Sequence, residues 1–169
     1  VDVVIANGGK NYNTPPEISV DGDGIGAVLT AVINSSGEIT SRVTLSSDKV
    51  WTISGRVFVV DGGELVIPAG TILKAKPGTE TNASFLCIAR GGKIDAQGTA
   101  EKPIVMTAEA DNIQPGQSFG TNLSVDNRGL WGGLLVLGSA PSSLKGDVSS
   151  YQIEGIPADD TRGLYGGTN

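Results

Sequence analysis

The chain has 169 residues, of which 25 are glycine, 38% are hydrophobic and only 5% are aromatic. This length allows one medium domain, or one small domain joined to part of another, around an aliphatic core. A net charge of −6 without a basic cluster argues against nucleic-acid binding, and the lack of histidine removes Ser-His-Asp and Cys-His catalysis from this chain.

Residues 1–45 form the first predicted unit, in which short apolar runs alternate with turn signals. The runs at 3–5, 17–20, 27–33 and 39–45 are separated by phrases rich in Gly, Asn and Asp, which favour tight turns. Four short strands in so short a stretch predict a small Gly-rich antiparallel β-module.

Residues 46–169 show a different rhythm, with strand-like runs separated by Gly-Gly, Pro-Ala-Gly or Arg-Gly-Gly. No segment shows helical periodicity with start and stop signals. This spacing predicts a solenoid of stacked parallel coils in which glycines supply positive φ at the corners. We expect a right-handed parallel β-helix. The fold class is therefore all-β. The predicted strands are 56–60, 64–67, 71–76, 84–89, 93–96, 103–108 and 131–137.

Cys87 is the single cysteine and lies in the apolar phrase Phe-Leu-Cys-Ile. We expect it to be a small buried hydrophobe, because reactive thiols need accessible, electropositive surroundings. No apolar run approaches the roughly 20 residues that span a bilayer. The chain starts without a signal peptide and stops in a turn-like phrase, so we expect a piece of a longer protein, with a β-helix incomplete at its C-terminus.

The phrase Gly-Gly-Lys-Asn-Tyr-Asn-Thr-Pro-Pro-Glu-Ile-Ser-Val at 8–20, followed by Gly-Ala-Val-Leu-Thr-Ala-Val-Ile at 26–33, is similar to a repeat of large structural proteins of tailed bacteriophages. In that repeat a Gly-x-Gly-Tyr-x-x-x-Pro turn precedes each hairpin. This copy departs from it, with Lys10-Asn11 before Tyr12. The resemblance implies a spacer or adhesion module.

Residues 51–169 resemble a group of bacterial and phage surface proteins with a parallel β-helix. The resemblance implies the fold and says little about activity. It also implies an oligomer, with a trimer favoured, because phage β-helical appendages are usually trimers. The phrases that carry it stand at 63–74, 89–107, 129–138, 153–155 and 164–167.

Asp21-Gly22-Asp23-Gly24 begins like a calcium-binding loop. A complete loop needs oxygen ligands further along, but its fifth and twelfth positions are Ile25 and Val32. We therefore favour a plain turn, with a loose structural Ca²⁺ site at Asp21 and Asp23 as the alternative. We expect no other cofactor.

Five residues are candidate surface contacts: Trp131, Asp126, Arg128, Glu154 and Asp159. Paired carboxylates are the groups that hydrolyse glycosidic bonds, so the acidic residues of this set could act as catalytic groups. Surface carboxylates are common, and catalysis is the minor alternative. For Trp131, packing at the edge of a coil is favoured over contact with a ligand.

We predict a non-enzymatic structural or adhesive component of a virion appendage, such as a tail fibre, spike or baseplate protein, that mediates assembly or host attachment. Its expected place is the virion surface or the cell exterior. Its expected partners are copies of itself, other virion or surface proteins and host polysaccharide, contacted through loops 112–127 and 139–150. The alternatives are a polysaccharide-depolymerising spike enzyme and a bacterial outer-surface β-helix.

Overall fold

A computed structural model describes residues 27–28, 36–141 and 148–167. Within these ranges the chain forms thirteen short strands and two 3-10 helices, Glu80–Asn82 and Thr161–Gly163, and no α-helix. The strands are β1 Ala27–Val28, β2 Glu38–Ile39, β3 Arg42–Thr44, β4 Val50–Ile53, β5 Arg56–Val59, β6 Glu64–Ile67, β7 Ile72–Ala75, β8 Phe85–Ile88, β9 Lys93–Ala96, β10 Val105–Ala108, β11 Leu134–Val136, β12 Ser150–Gln152 and β13 Leu164–Gly166.

Eleven of these strands form three parallel sheets. Sheet A has the order β1-β4-β7-β10, sheet B has the order β2-β5-β8-β11, and sheet C has the order β3-β6-β9. The chain visits A, B and C in turn and then returns to A, so that coil 1 is β1–β3, coil 2 is β4–β6, coil 3 is β7–β9 and coil 4 is β10–β11. This arrangement confirms the predicted parallel β-helix. Its right hand stays a prediction, based on the general preference of crossover connections.

The boundary predicted at residue 45 is wrong for β2 and β3. Ile39 pairs in parallel with Val59, and Val43 pairs in parallel with Leu65, so both strands belong to coil 1 of the solenoid. Short apolar runs joined by a polar corner have the same pattern in a hairpin and in a coil, which is why the sequence misled. Strand β1 also pairs in parallel with β4, and the rest of the predicted module lies outside the described residues.

The solenoid interior is built by alternate residues of each strand, whose side chains stack on their counterparts in neighbouring coils. In sheet B, Ile39, Val59 and Ile88 form one such inward row. Among the described residues of the buried interior cluster, Trp51 is the one aromatic side chain, and its Nε1 donates to Ser46 O at 2.8 Å. The buried cluster comprises Ile39, Leu45, Trp51, Ile53, Val57, Val59, Leu65, Ile67, Leu73, Ala75, Leu86 and Ile88.

The predicted glycine corners are present. Gly62 and Gly91, between sheets B and C, have φ values of 82° and 80°, and Gly70, between sheets C and A, has 82°. Each is the third residue of a turn closed by a backbone hydrogen bond, as in Gly92 N to Ala89 O at 3.0 Å. Such a turn needs a residue that tolerates positive φ, and glycine does so without steric cost.

Candidate functional site

The outer face of sheet A, which points away from the solenoid interior, is covered by the chain segment between β10 and β11. We call residues 109–133 the excursion. Val50, Ile72 and Val105 form an apolar outward row in successive coils. Ile113 of the excursion packs on this row and is 0% exposed. The buried side chain of Ile113, which we call the apolar plug, therefore anchors the excursion to the outer face of sheet A.

Polar contacts fix the base of the excursion beside this plug. Lys74 Nζ donates to the Asp111 carbonyl oxygen at 2.6 Å, and Thr107 Oγ1 donates to Asp111 Oδ2 at 2.8 Å. The other carboxylate oxygen of Asp111 accepts from the Ile113 backbone N–H. Lys74 is only 9% exposed, so this hydrogen bond gives a partner to the ammonium group of a nearly buried side chain.

Side-chain amides hold the outer part of the excursion in shape. Asn112 N–H donates to Asn122 Oδ1 at 2.9 Å, and Thr121 N–H donates to Asn112 Oδ1 at 2.8 Å. Further along, Ser124 N–H donates to Asn127 Oδ1 at 2.7 Å. The excursion thus has its own hydrogen-bond framework, although it contains no regular secondary structure.

This framework holds two large apolar side chains in solvent. Phe119 is 74% exposed and Val125 is 86% exposed. Sequence reasoning selected loop 112–127 but neither of these residues, because an isolated apolar residue within a polar loop gives no clear signal. Loops held on a rigid scaffold are frequent carriers of binding residues.

Three of the predicted contact residues lie in the excursion. Asp126 and Arg128 are exposed. Trp131 is half-buried and packs against the interior cluster, which agrees with the favoured packing role. The excursion therefore brings Asp126 and Arg128 into the same loop as Phe119 and Val125.

The other two, Glu154 and Asp159, are exposed in the C-terminal segment. No hydrogen bond or ion pair among the described residues joins any two of Asp126, Glu154 and Asp159. Nowhere in residues 27–28, 36–141 and 148–167 is a group of three or more His, Cys, Asp or Glu side chains placed to hold a metal ion. Asp21 and Asp23 lie outside the described residues.

Residues 150–166, which we call the clasp, cover the outer face of sheet B. The outward row of this sheet is Glu38, Phe58, Cys87 and Leu135, one residue from each coil. Ile156 of the clasp packs with this row and is 6% exposed. The sequence did not predict this cover, because its strands β12 and β13 are short and, among the described residues, pair only with each other.

Cys87 is completely buried beneath the clasp, as the sequence predicted. Burial raises the pKa of its thiol to about 12, because the thiolate would lose its hydration. The thiol is therefore protonated at neutral pH, and it contributes to packing in the folded protein rather than to nucleophilic chemistry.

Arg162 joins the clasp to the solenoid. Its guanidinium donates to Asp160 Oδ2 at 2.7 Å and to Glu38 Oε1 at 3.2 Å, and lies 4.0 Å from the centre of the Phe58 ring. The hydrogen bond from Arg162 lowers the pKa of Asp160, and the same bond raises the pKa of Arg162. No sequence signal identified Arg162, because Glu38 is more than 120 residues away.

Sheet C has a bare outer face among the described residues. Its outward positions carry Arg42, Glu64 and Lys93 in one row, with Arg42 and Glu64 forming an ion pair. Asp95, in the next row, accepts from the Gln97 amide at 2.7 Å. The charges of this face are mixed, so it offers no strong field for an anionic or cationic partner.

One of three comparisons with known proteins found a match, and it agrees with this architecture. No curated protein and no solved structure matches the chain. None of the described helices is long and apolar enough to cross a membrane. A family model described as "Pectate-lyase like beta helix domain" matches residues 37–169, well over half of the chain and starting close to β2. The stacked parallel coils and this match together show that the chain belongs to the pectate-lyase-like beta-helix domain family.

Proposed function

We propose that this β-helix is a non-catalytic attachment module that binds a surface polysaccharide through the excursion. The observation that carries the proposal is the exposure of Phe119 and Val125 on a loop that is braced from within and plugged into the solenoid. A braced loop loses little conformational freedom on binding, so more of its contact energy appears as affinity.

Phe119 offers a flat apolar surface to one face of a sugar ring. Asp126 and Arg128, exposed in the same excursion, supply the acceptor and donor groups that sugar hydroxyls require. A single such site binds weakly, and several copies in one assembly raise the avidity. The proposed whole protein is a trimeric virion appendage, a tail fibre, spike or baseplate component at the virion or cell surface; the resemblance of residues 8–33 to phage structural repeats supports it.

Binding of the purified chain to envelope polysaccharides of candidate hosts tests the proposal. We expect binding without release of oligosaccharides, and Phe119→Ala should weaken it by about tenfold or more, as for an exposed aromatic anchor. Val125→Ser should weaken binding, whereas Val148→Ser, the same change at an exposed valine outside the excursion, should not. Equal binding by the wild type and Phe119→Ala would contradict the proposal.

A polysaccharide-cleaving enzyme is the second candidate, and the likeness of the family to pectate lyases favours it. Release of oligosaccharides that disappears on Asp126→Asn, Glu154→Gln or Asp159→Asn would establish this activity in place of simple attachment. Sedimentation of the intact protein tests the trimer separately, and a monomer at micromolar concentration would contradict it.

A further inference from the structure

We propose that the clasp locks the four coils into one cooperative unit, with Arg162 as the residue that fastens it. In a simple solenoid each coil contacts only its neighbours, so the terminal coils can open independently of the rest. The clasp gives this solenoid a contact of another kind, which runs across the coils instead of between adjacent ones.

The contacts of the clasp extend from coil 1 to the chain beyond coil 4. Arg162 binds Glu38 and the Ser36 carbonyl oxygen in coil 1 and lies over Phe58 of coil 2. In coil 3, Arg90 Nη1 donates to the Gly166 carbonyl oxygen at 2.8 Å. The Gly166 N–H donates to the carbonyl oxygen of Gly138, just after β11. One short segment therefore contacts coils 1, 2 and 3 and the chain that directly follows coil 4.

Hydrogen bonds within the clasp make it rigid. We therefore expect a contact that fixes one of its residues to restrict the motion of the whole segment. Gln152 Nε2 lies within hydrogen-bond distance of the carbonyl oxygens of Ile156, Pro157 and Asp160, at 2.9 to 3.3 Å. Gly163 lies so close that a Cβ there would be 2.3 Å from Gln152 Nε2. Strands β12 and β13 pair at the base of this arrangement.

The Arg162 contacts are strong for a surface residue. The Arg162 side chain is only 27% exposed, and its guanidinium has two carboxylate partners as well as an aromatic face. Partly buried, multiply bonded arginines contribute more than exposed single ion pairs. Opening of coil 1 breaks the contacts of Arg162 with Glu38 and with the Ser36 carbonyl oxygen. The same guanidinium lies over Phe58, so we expect this opening to loosen the cover over coils 2 and 3 as well.

Native-state hydrogen exchange and labelling of Cys87 test this coupling on the full chain. In the wild type, amides of 38–44 and 85–88 should exchange with similar protection, and Cys87 should react only through an opening that also exposes coil 1. Arg162→Ala should make 38–44 exchange at least about tenfold faster than 85–88, and should accelerate Cys87 labelling by a similar factor.

Arg42→Ala is the matched control, because Arg42 also joins coil 1 to coil 2 through a glutamate but on the bare face of sheet C. It should change either rate by less than about twofold. Equal effects of the two substitutions would contradict the proposal, as would a wild-type clasp that exchanges far faster than the coils beneath it.

Arg162→Lys keeps the charge but loses the planar, forked guanidinium, so it should give an intermediate uncoupling. It also provides the test if Arg162→Ala does not fold, and unchanged exchange in Arg162→Lys would then count against the clasp. These measurements need no ligand. Failure of the polysaccharide experiment would therefore leave the result on the clasp unaffected.

Discussion

Strands β8 and β9 belong to the same coil, yet the outer face of β8 is buried and the outer face of β9 is exposed. All four residues of β8, Phe85–Ile88, are buried, whereas none of β9, Lys93–Ala96, is fully buried. The clasp covers sheet B, whereas no described segment covers sheet C. A parallel strand that is buried on both faces reads as a continuous apolar run, and a strand with one wet face alternates. β6, the middle strand of sheet C, alternates in this way, with Leu65 and Ile67 buried and Glu64 and Val66 partly exposed. Its side-chain pattern thus records an outer face that no described segment covers.

Truncating an aromatic residue under the clasp should have the largest effect. Phe58 is 1% exposed and makes an edge-to-face contact with Phe85, with ring centres 5.5 Å apart. Phe58→Ala should lower the free energy of unfolding by about 3–5 kcal/mol, because it leaves a cavity and removes the surface beneath Arg162. Val66→Thr, at an outward position of sheet C, should cost less than about 1 kcal/mol. Urea denaturation followed by tryptophan fluorescence measures both, and similar losses would refute the contrast between the faces.

The cover of sheet A should depend on its apolar plug. Ile113→Ala should cost about 3 kcal/mol, because Ile113 is completely buried on Val50 and Ile72. Phe119→Ala in the same loop should change the free energy of unfolding by less than about 0.5 kcal/mol, because Phe119 is mostly exposed. Thermal unfolding of the two variants gives the comparison. A larger loss for Phe119 would show that the loop is packed differently.

The corner between the covered and bare faces should tolerate no side chain at Gly92. A Cβ there would lie 2.1 Å from the Val59 carbonyl oxygen, whereas Gly138 has no heavy atom within 4 Å of the same position. Gly92→Ala should therefore cost about 2 kcal/mol through local displacement of the backbone, and Gly138→Ala should be close to neutral. Denaturation midpoints report the difference, and the idea fails if the two variants are equally stable.

Acid should weaken the contribution of the clasp to stability, and we expect this effect to be the smallest of the four predicted in this section. Arg162 lowers the pKa of Asp160 in the folded protein, so folding favours the ionised carboxylate. This stabilisation is complete above the unfolded pKa of about 3.9 and is lost as the pH falls through the lower folded value. The stability difference between wild type and Asp160→Asn should be constant above about pH 5 and shrink below about pH 4. A difference that grows on acidification would reverse the assigned sign.

The sequence predicted much of the solenoid because its signals are local. The runs at 64–67 and 93–96 match β6 and β9 residue for residue, and the glycine corners lie where the dipeptides predicted them. Strand β4 was missed because Val50 to Ile53 is short and closely flanked by polar residues. The predicted boundary at 45 failed because the same short runs fit a hairpin as well as a coil.

The sequence by itself determined the all-β class, the aliphatic interior, the burial of Cys87 and the positions of the corners, because each depends on side chains within a few residues of one another. Tertiary structure alone decided which faces are covered. The contacts of Ile113 with sheet A and of Arg162 with Glu38 depend on which coils stack and in what register. The residues that form these contacts are far apart in the chain. Phe119 and Val125 are exposed for the same reason, since the plug and braces of the excursion turn them away from the core.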